Sequence, residues 1–234
     1  MFEWKNQSLA QAVINLEADR LASCLPDLNG PFLLQYSTLN ELVLQSSTLE
    51  HHFLASEQLK TQLQMSFQQL PFRDNSLDCV ITHHVLDFNS NPHQCLREAA
   101  RVVVPNGYLV VVGFNPWSLW GASRLLSHTM LPKGGKHLSQ RRVVDWLTLL
   151  GFRVEQSEST LYMPPRAICH FPKISNKINA LLSYLGAPFG GVYVLVARKL
   201  VAGRTPVRPQ WRVLGGRRFP VATPSTRGAR VAGR

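Results

Sequence analysis

His83 and His84 stand in tandem, with Asp87 three residues beyond the second. Histidine titrates near neutrality, so either ring has the range of a general base. The plainer reading packs one ring and hydrogen-bonds the other to a neighbouring loop. On a strand end, successive side chains leave on opposite faces, so the two rings are not expected to meet one small ligand. Spacing gives a metal role no support, since no third ligand stands at a suitable interval. Arg97, Glu98 and Arg101 fall on one helix and read as surface pairing. Trp117 and Trp120 flank Ser118-Leu119 in a loop, where the rings serve equally to cover a pocket or to pin the loop to the core.

The elements that must position these residues follow from apolar periodicity and turn residues. Leu9, Val13, Leu16 and Leu21 predict a helix from 7 to about 24, broken by Pro26, Asn29, Gly30 and Pro31. Phe32–Tyr36 and His51–Ala55 read as short strands, with a helix over 38–45 between them. Residues 46–64 carry a weak signal. Cys79–Thr82 is a strand, 92–103 a helix with Pro92 near its start, and 108–113 a buried strand after the turn Pro105-Asn-Gly. A long loop over 114–138 precedes a helix from Ser139, an expected N-cap, to Leu150, which Gly151 ends. Strands at 152–157 and 191–200 complete the chain. Alternating strands and helices predict a doubly wound α/β sheet, with ligands beyond the carboxyl ends of its strands.

Charge separates a core from a tail. Up to Glu158 there are 12 basic and 14 acidic residues; beyond it there are 13 basic residues and no acid, eight of them arginines between Arg204 and Arg234. Residues 201–234 are therefore read as a basic disordered tail, suited to RNA or anionic lipid through phosphate charge. Residues 1–29 form an N-terminal helical segment and 30–200 the main domain. Four scattered cysteines give neither a disulfide framework nor a zinc motif, and the first ten residues lack an apolar signal core, so the cytoplasm is expected. The uncharged run 178–197 has the length of a membrane span. Pro188 and the neighbouring glycines favour a short helix, a turn and a strand, with no stable span.

The run from Leu70-Pro-Phe-Arg-Asp-Asn-Ser-Leu-Asp through Cys79-Val-Ile-Thr-His-His-Val-Leu-Asp-Phe, then Asn91-Pro-His to Pro105-Asn-Gly-Tyr-Leu-Val-Val, resembles the second half of a class I S-adenosylmethionine-dependent methyltransferase domain. Gly113-Phe-Asn-Pro-Trp-Ser-Leu-Trp-Gly, followed by Asp145-Trp-Leu-Thr-Leu-Leu-Gly-Phe, is similar to the YafS-like branch, of the type 11 methyltransferases. The resemblance spans residues 30–200. It implies a Rossmann-like, mostly parallel sheet with an antiparallel last strand, and S-adenosyl-L-methionine as cofactor. Carried over position by position, it places Gln35, Tyr36 and Ser37 at the glycine-rich motif that cradles the cofactor, here without its glycines. Ser66 takes the place of the acid that meets the adenine amine, with Phe67 beside it, and His83 lines the cofactor. Glu50 or Glu57 stands for the ribose acid. His84 takes the catalytic role, and Asn115, Trp117 and Trp120 lie where such enzymes contact substrate; no residue is assigned to a metal.

Two main functions follow. One is methyl transfer to an unknown acceptor. The other is an inactive methyltransferase fold kept as a binding module, contacting RNA or another polyanion through its tail. The backbone around residues 35–41 is expected to separate them, according to whether Tyr36 or Leu39 fills the cofactor space.

Overall fold

The computed structural model describes residues 7–24, 30–37, 51–56, 62–121, 135–163, 170–184, 187 and 189–201. The helix expected over 38–45, Leu39, Glu50, Glu57, and the tail beyond residue 201 lie outside them. The chain divides into two units, Met1–Ala202 and Gly203–Arg234. In order, the first holds α1 (Gln7–Cys24), β1 (Phe32–Ser37), β2 (His51–Ser56), β3 (Leu63–Gln64), β4 (Leu77–His83), α2 (Val85–Phe88), α3 (Pro92–Val102), β5 (Val103–Phe114), α4 (Gln140–Leu149), β6 (Phe152–Thr160), α5 (Pro172–Tyr184) and β7 (Val192–Lys199).

The seven strands form one sheet in the order β3-β2-β1-β4-β5-β7-β6. The first five are parallel, and β7 runs antiparallel between β5 and β6. This is the expected mostly parallel, Rossmann-like sheet with an antiparallel last strand. Chain order reverses between β1 and β4, which creates a crevice outside their carboxyl ends.

Alternation along the strands builds two cores. Leu34, Tyr36, Val80, Leu109, Val111 and Tyr193 belong to the face that also buries Leu96 of α3 and Leu147 of α4. Leu33, Ile81, Val110, Val112 and Val194 belong to the other, with Val13 and Leu21 of α1. Gln35, Ser37 and His83 share the parity of this second set.

Several elements differ from expectation for local reasons. β2 falls where the strand over His51–Ala55 was expected, but β3, also in the weak 46–64 stretch, has only two residues, too few for a periodic signal. Pro105-Asn106-Gly107 belongs to β5 as an irregularity rather than preceding it: Leu77 faces Val103 and Cys79 faces Tyr108, so the intervening residues bulge, with Asn106 at φ 65°. Ser139 stands at the α4 N-cap but makes no side-chain capping bond. Asn91 does cap α3, accepting the Gln94 N–H ahead of Pro92. The described residues of 178–197 include the end of α5 and most of β7, and among the described residues no helix is long and apolar enough to cross a membrane.

Candidate functional site

Ser37 ends β1 and His83 ends β4, and the two are partners in register. The Ser37 hydroxyl lies 3.0 Å from His83 Nδ1. The chain then turns sharply: His84 adopts a left-handed conformation, φ 56° and ψ 16°, uncommon for a residue with a Cβ. That turn overturns the expected opposition of the two rings, which instead lie with centroids 4.6 Å apart. Both reach a carboxylate from α1. Glu17 Oε2 is 2.8 Å from His83 Nε2, and Glu17 Oε1 is 3.1 Å from His84 Nε2.

The chain of contacts continues beyond His84. Its Nδ1 lies 3.1 Å from Asp87 Oδ2, which also accepts the Phe114 N–H at 2.9 Å. The ring stacks on Phe114 at 4.0 Å. His137 Nδ1 stands 3.7 Å from the other Asp87 oxygen. Ser37, Glu17, His83, His84 and Asp87 are all fully buried.

Burial alone would raise the Glu17 carboxyl, but the charge of His84 and the bonds from both histidines hold it at about 2. Burial would lower His84, yet Glu17 and Asp87 hold it up at about 9. Asp87 is likewise lowered, burial being outweighed by His137, 3.7 Å away, and by the bond from His84. His83 is lowered: burial prevails over its Glu17 bond, and the neighbouring imidazolium adds to the effect. At neutral pH His84 is thus a cation donating from both nitrogens. His83 is neutral, donating from Nε2 to Glu17 and accepting the Ser37 hydroxyl at Nδ1.

These shifts give a pH dependence with a definite sign. Glu17 is held below 4.5, so its stabilisation is complete above that pH and lost as pH falls through about 2. His84 is held above 6.5, so its stabilisation is complete below that pH and lost as pH rises through about 9. His83 is held below 6.5, and its buried neutral form costs stability as pH falls beneath 6.5. Thermal unfolding followed by circular dichroism should therefore show its highest Tm near pH 6.5 and a decline toward 9. A Tm that climbs between pH 7 and 9 would contradict this charge assignment.

Glu17, His83 and His84 also place three ligand-type atoms within 4.8 Å of one another. Sequence spacing missed this set because its third member comes from α1. Each of those atoms is already paired in a hydrogen bond. One signal was available: Glu17 lies on the α1 stripe formed by Val13, Ile14 and Leu21, where an unpaired acid would be costly.

The residues expected around the cofactor surround the β1–β4 crevice in different ways. Gln35 and Ser37 are buried on the α1 face. Tyr36 turns to the opposite core, donating its hydroxyl to the Met65 carbonyl at 2.7 Å and packing edge-on against Phe67. Phe67 is fully buried, while Ser66 beside it is exposed. Tyr36 therefore supports the Met65–Phe67 segment through the core.

Arg101 does more than pair on the surface. It donates to the carbonyls of Leu70 and Phe72 and to the carboxylates of Asp74 and Glu98, tying the loop before β4 to α3. Arg101→Ala should cost about 1–3 kcal/mol in urea unfolding, because it strands two carbonyls and the Glu98 carboxylate. A loss indistinguishable from zero would mean that the loop holds without the clamp.

Of the two tryptophans, Trp120 pins the loop to the core. Trp120 is 1% exposed and donates Nε1–H to the Met163 carbonyl at 2.7 Å; Trp117 is 80% exposed. Asn115 is buried, and its side-chain oxygen accepts the Trp117 N–H in a turn. Only Trp117 of the three presents a ring to solvent.

Comparison with known proteins agrees with this geometry. The sequence pattern of a methyltransferase domain matches residues 40–111. The Escherichia coli K12 protein YafS, itself uncharacterised, is 32% identical over 174 residues, covering 73% of this chain and 69% of its own length. An S-adenosylmethionine-dependent methyltransferase of Thermotoga maritima shares the fold with a TM-score of 0.60 at 16% identity, covering 82% of this chain and 91% of that one. Another from Archaeoglobus fulgidus gives 0.53 at 16% identity, with coverage of 80% and 94%. With the sheet order, the matched domain and the YafS likeness together, the chain belongs to the class I S-adenosylmethionine-dependent methyltransferases, in the branch of YafS.

Proposed function

We propose that this chain transfers the methyl group of S-adenosylmethionine, the cofactor of its family, to an acceptor seated near Trp117, and that Ser37 and His83 take up the acceptor's proton. The observation that carries this reading is the buried chain Ser37–His83–Glu17 at the switch point between β1 and β4.

The residues present fit the cofactor. The carboxyl ends of β1, β2 and β4 share one edge of the sheet, and Glu57 follows the last residue of β2 directly, as a ribose-binding acid must. Glu50 precedes the same strand, at its other end in sequence. Ser66 offers an exposed hydroxyl beside the buried Phe67 ring, suited to the adenine side. Two carboxylates and one imidazolium give the buried cluster one net negative charge, a favourable field for a cation. When bound, the cofactor supplies a methyl group on a sulfonium, ready for in-line displacement.

The base assignment moves from His84 to His83. A histidine held protonated to about pH 9 has no proton vacancy at neutrality, so His84 serves to fix Glu17. The Nδ1 lone pair of His83 accepts the Ser37 hydroxyl and can take its proton, and Glu17 stabilises the imidazolium that forms. Ser37 then relays a proton to His83, and Glu17 acts through His83.

Titration calorimetry of the full chain with S-adenosylmethionine and its demethylated product tests the reading. Binding in the range of about 1 µM to 1 mM is expected. Absence of heat with millimolar ligand would sink it.

A further inference from the structure

Surface helices of soluble domains turn their apolar side inward; α5 is built the other way round. Its inward positions include Ser175 and Asn179, one helical turn apart and both buried. The Asn179 side-chain oxygen accepts the N–H groups of Tyr162 and Met163, which fastens the helix to the end of β6 through polar contacts. The outward positions carry large apolar side chains alongside lysines: Ile174 and Leu181 are 58% exposed and Tyr184 88%. Phe171 before the helix and Phe189 after it are exposed as well, at 61% and 65%. A patch of this kind on a soluble domain marks an interaction surface.

The charges around it select the occupant. Lys173 and Lys177 are exposed on the same helix, and no acid follows Glu158 in the chain. A second copy meeting this face symmetrically would set lysine against lysine, with no acid of the segment to pair them. A nucleic acid would satisfy the lysines and leave the five apolar side chains in water. An anionic bilayer surface satisfies both, through phosphate charge and apolar insertion at the headgroup boundary. Helix α5 has 13 residues, about 20 Å at the α-helical rise, too short for a hydrocarbon core of about 30 Å. It would lie in the interface plane.

Its place on the sheet gives the surface a functional direction. β6 ends with Thr160 opposite Val192, the first residue of β7, and Val192 in turn lies opposite Phe114 at the end of β5. The segment carrying α5 thus leaves and rejoins the sheet at the edge that holds His83 and Phe114.

We propose that the outer face of α5, with Lys173 and Lys177, docks this protein on an anionic lipid bilayer.

The test is co-sedimentation of the full chain with vesicles of phosphatidylcholine, with and without phosphatidylglycerol. The wild-type chain should bind the anionic vesicles. Ile174→Glu combined with Leu181→Glu should weaken that binding by about tenfold or more, since two apolar insertions are lost and two like charges gained. Lys173→Gln with Lys177→Gln should weaken binding to the anionic vesicles only. Both substituted pairs are exposed, and unchanged circular dichroism and Tm would show that they fold. The proposal is overturned if the wild-type chain ignores the vesicles, or if the double-glutamate variant binds them as well as wild type. It is also overturned if sedimentation velocity reveals a dimer that the double-glutamate variant abolishes while vesicle binding persists, or if the variant loses only binding to an RNA oligonucleotide.

Discussion

Glu17→Ala is expected to cost about 3–5 kcal/mol of folding stability, the range for removing one partner of a buried ion pair. The reason lies in what would be left behind. His84 would keep Asp87 at Nδ1 and lose its partner at Nε2, and His83 would lose the acceptor for its Nε2–H. Both rings are fully buried, so water cannot replace the carboxylate without opening the α1 face. The protein has one inexpensive response, which is to release the His84 proton. Its pKa should therefore fall from about 9, and the Tm decline toward alkaline pH should flatten. Glu17→Gln should cost less, because the amide keeps the shape and one acceptor but points an N–H at a ring nitrogen. Urea unfolding at pH 7, with the imidazole protons followed by nuclear magnetic resonance, measures both effects. A loss under about 1 kcal/mol would place this acid in the range of an exposed salt bridge and remove the argument for a coupled cluster.

Glu17 also marks the boundary of what sequence could reveal. The fold was legible because its signals are local and repeated: the buried run 108–113, the strand before His83, Pro92 at a helix start and Gly151 at a helix end each act over a few residues. β3 escaped because two residues carry no period. The β5 bulge escaped because Pro105-Asn-Gly reads equally as a turn outside a strand or an irregularity within one. For the candidate site, the chain positions of His83, His84 and Asp87 were visible, but their geometry was not. Strand alternation sends adjacent side chains apart, and only the left-handed turn at His84 brings the rings to one carboxylate. That carboxylate is 66 residues away in sequence, and no spacing rule reaches so far. Arg101 shows the same limit: its neighbour Glu98 was evident on the helix, whereas the carbonyls of Leu70 and Phe72 came from folding. The apolar face of α5 was concealed differently. Inward packing is the default expectation for an amphipathic helix, and the burial of Ser175 and Asn179, with the Tyr162 and Met163 N–H groups on Asn179, reverses it only in the folded chain.

The two tryptophans of the 114–121 segment should separate stability from function. Trp120→Ala is expected to cost about 3–5 kcal/mol, as for other buried tryptophans, whereas Trp117→Ala should stay within about 0.5 kcal/mol of wild type. Trp120 closes a gap between three elements. It follows β5, donates to the Met163 carbonyl beyond β6, and lies against Gly191 just before β7. A Cβ built on Gly191 would stand 2.5 Å from the indole, so the close approach needs glycine on one side and a flat ring on the other. Asn115 secures the same junction, its N–H donating to the Gly191 carbonyl at 2.9 Å. Gly191→Ala should then destabilise in the wild-type background and less in Trp120→Ala, where the ring is gone and the Leu161 carbonyl, 2.9 Å from the added Cβ, still crowds it. That non-additivity, read from a double-mutant cycle in urea, distinguishes a specific contact from general loss of core volume. Strict additivity would mean that the indole does not rest on Gly191. Trp117→Ala, leaving stability in place, should act on the acceptor side, because its ring is largely exposed.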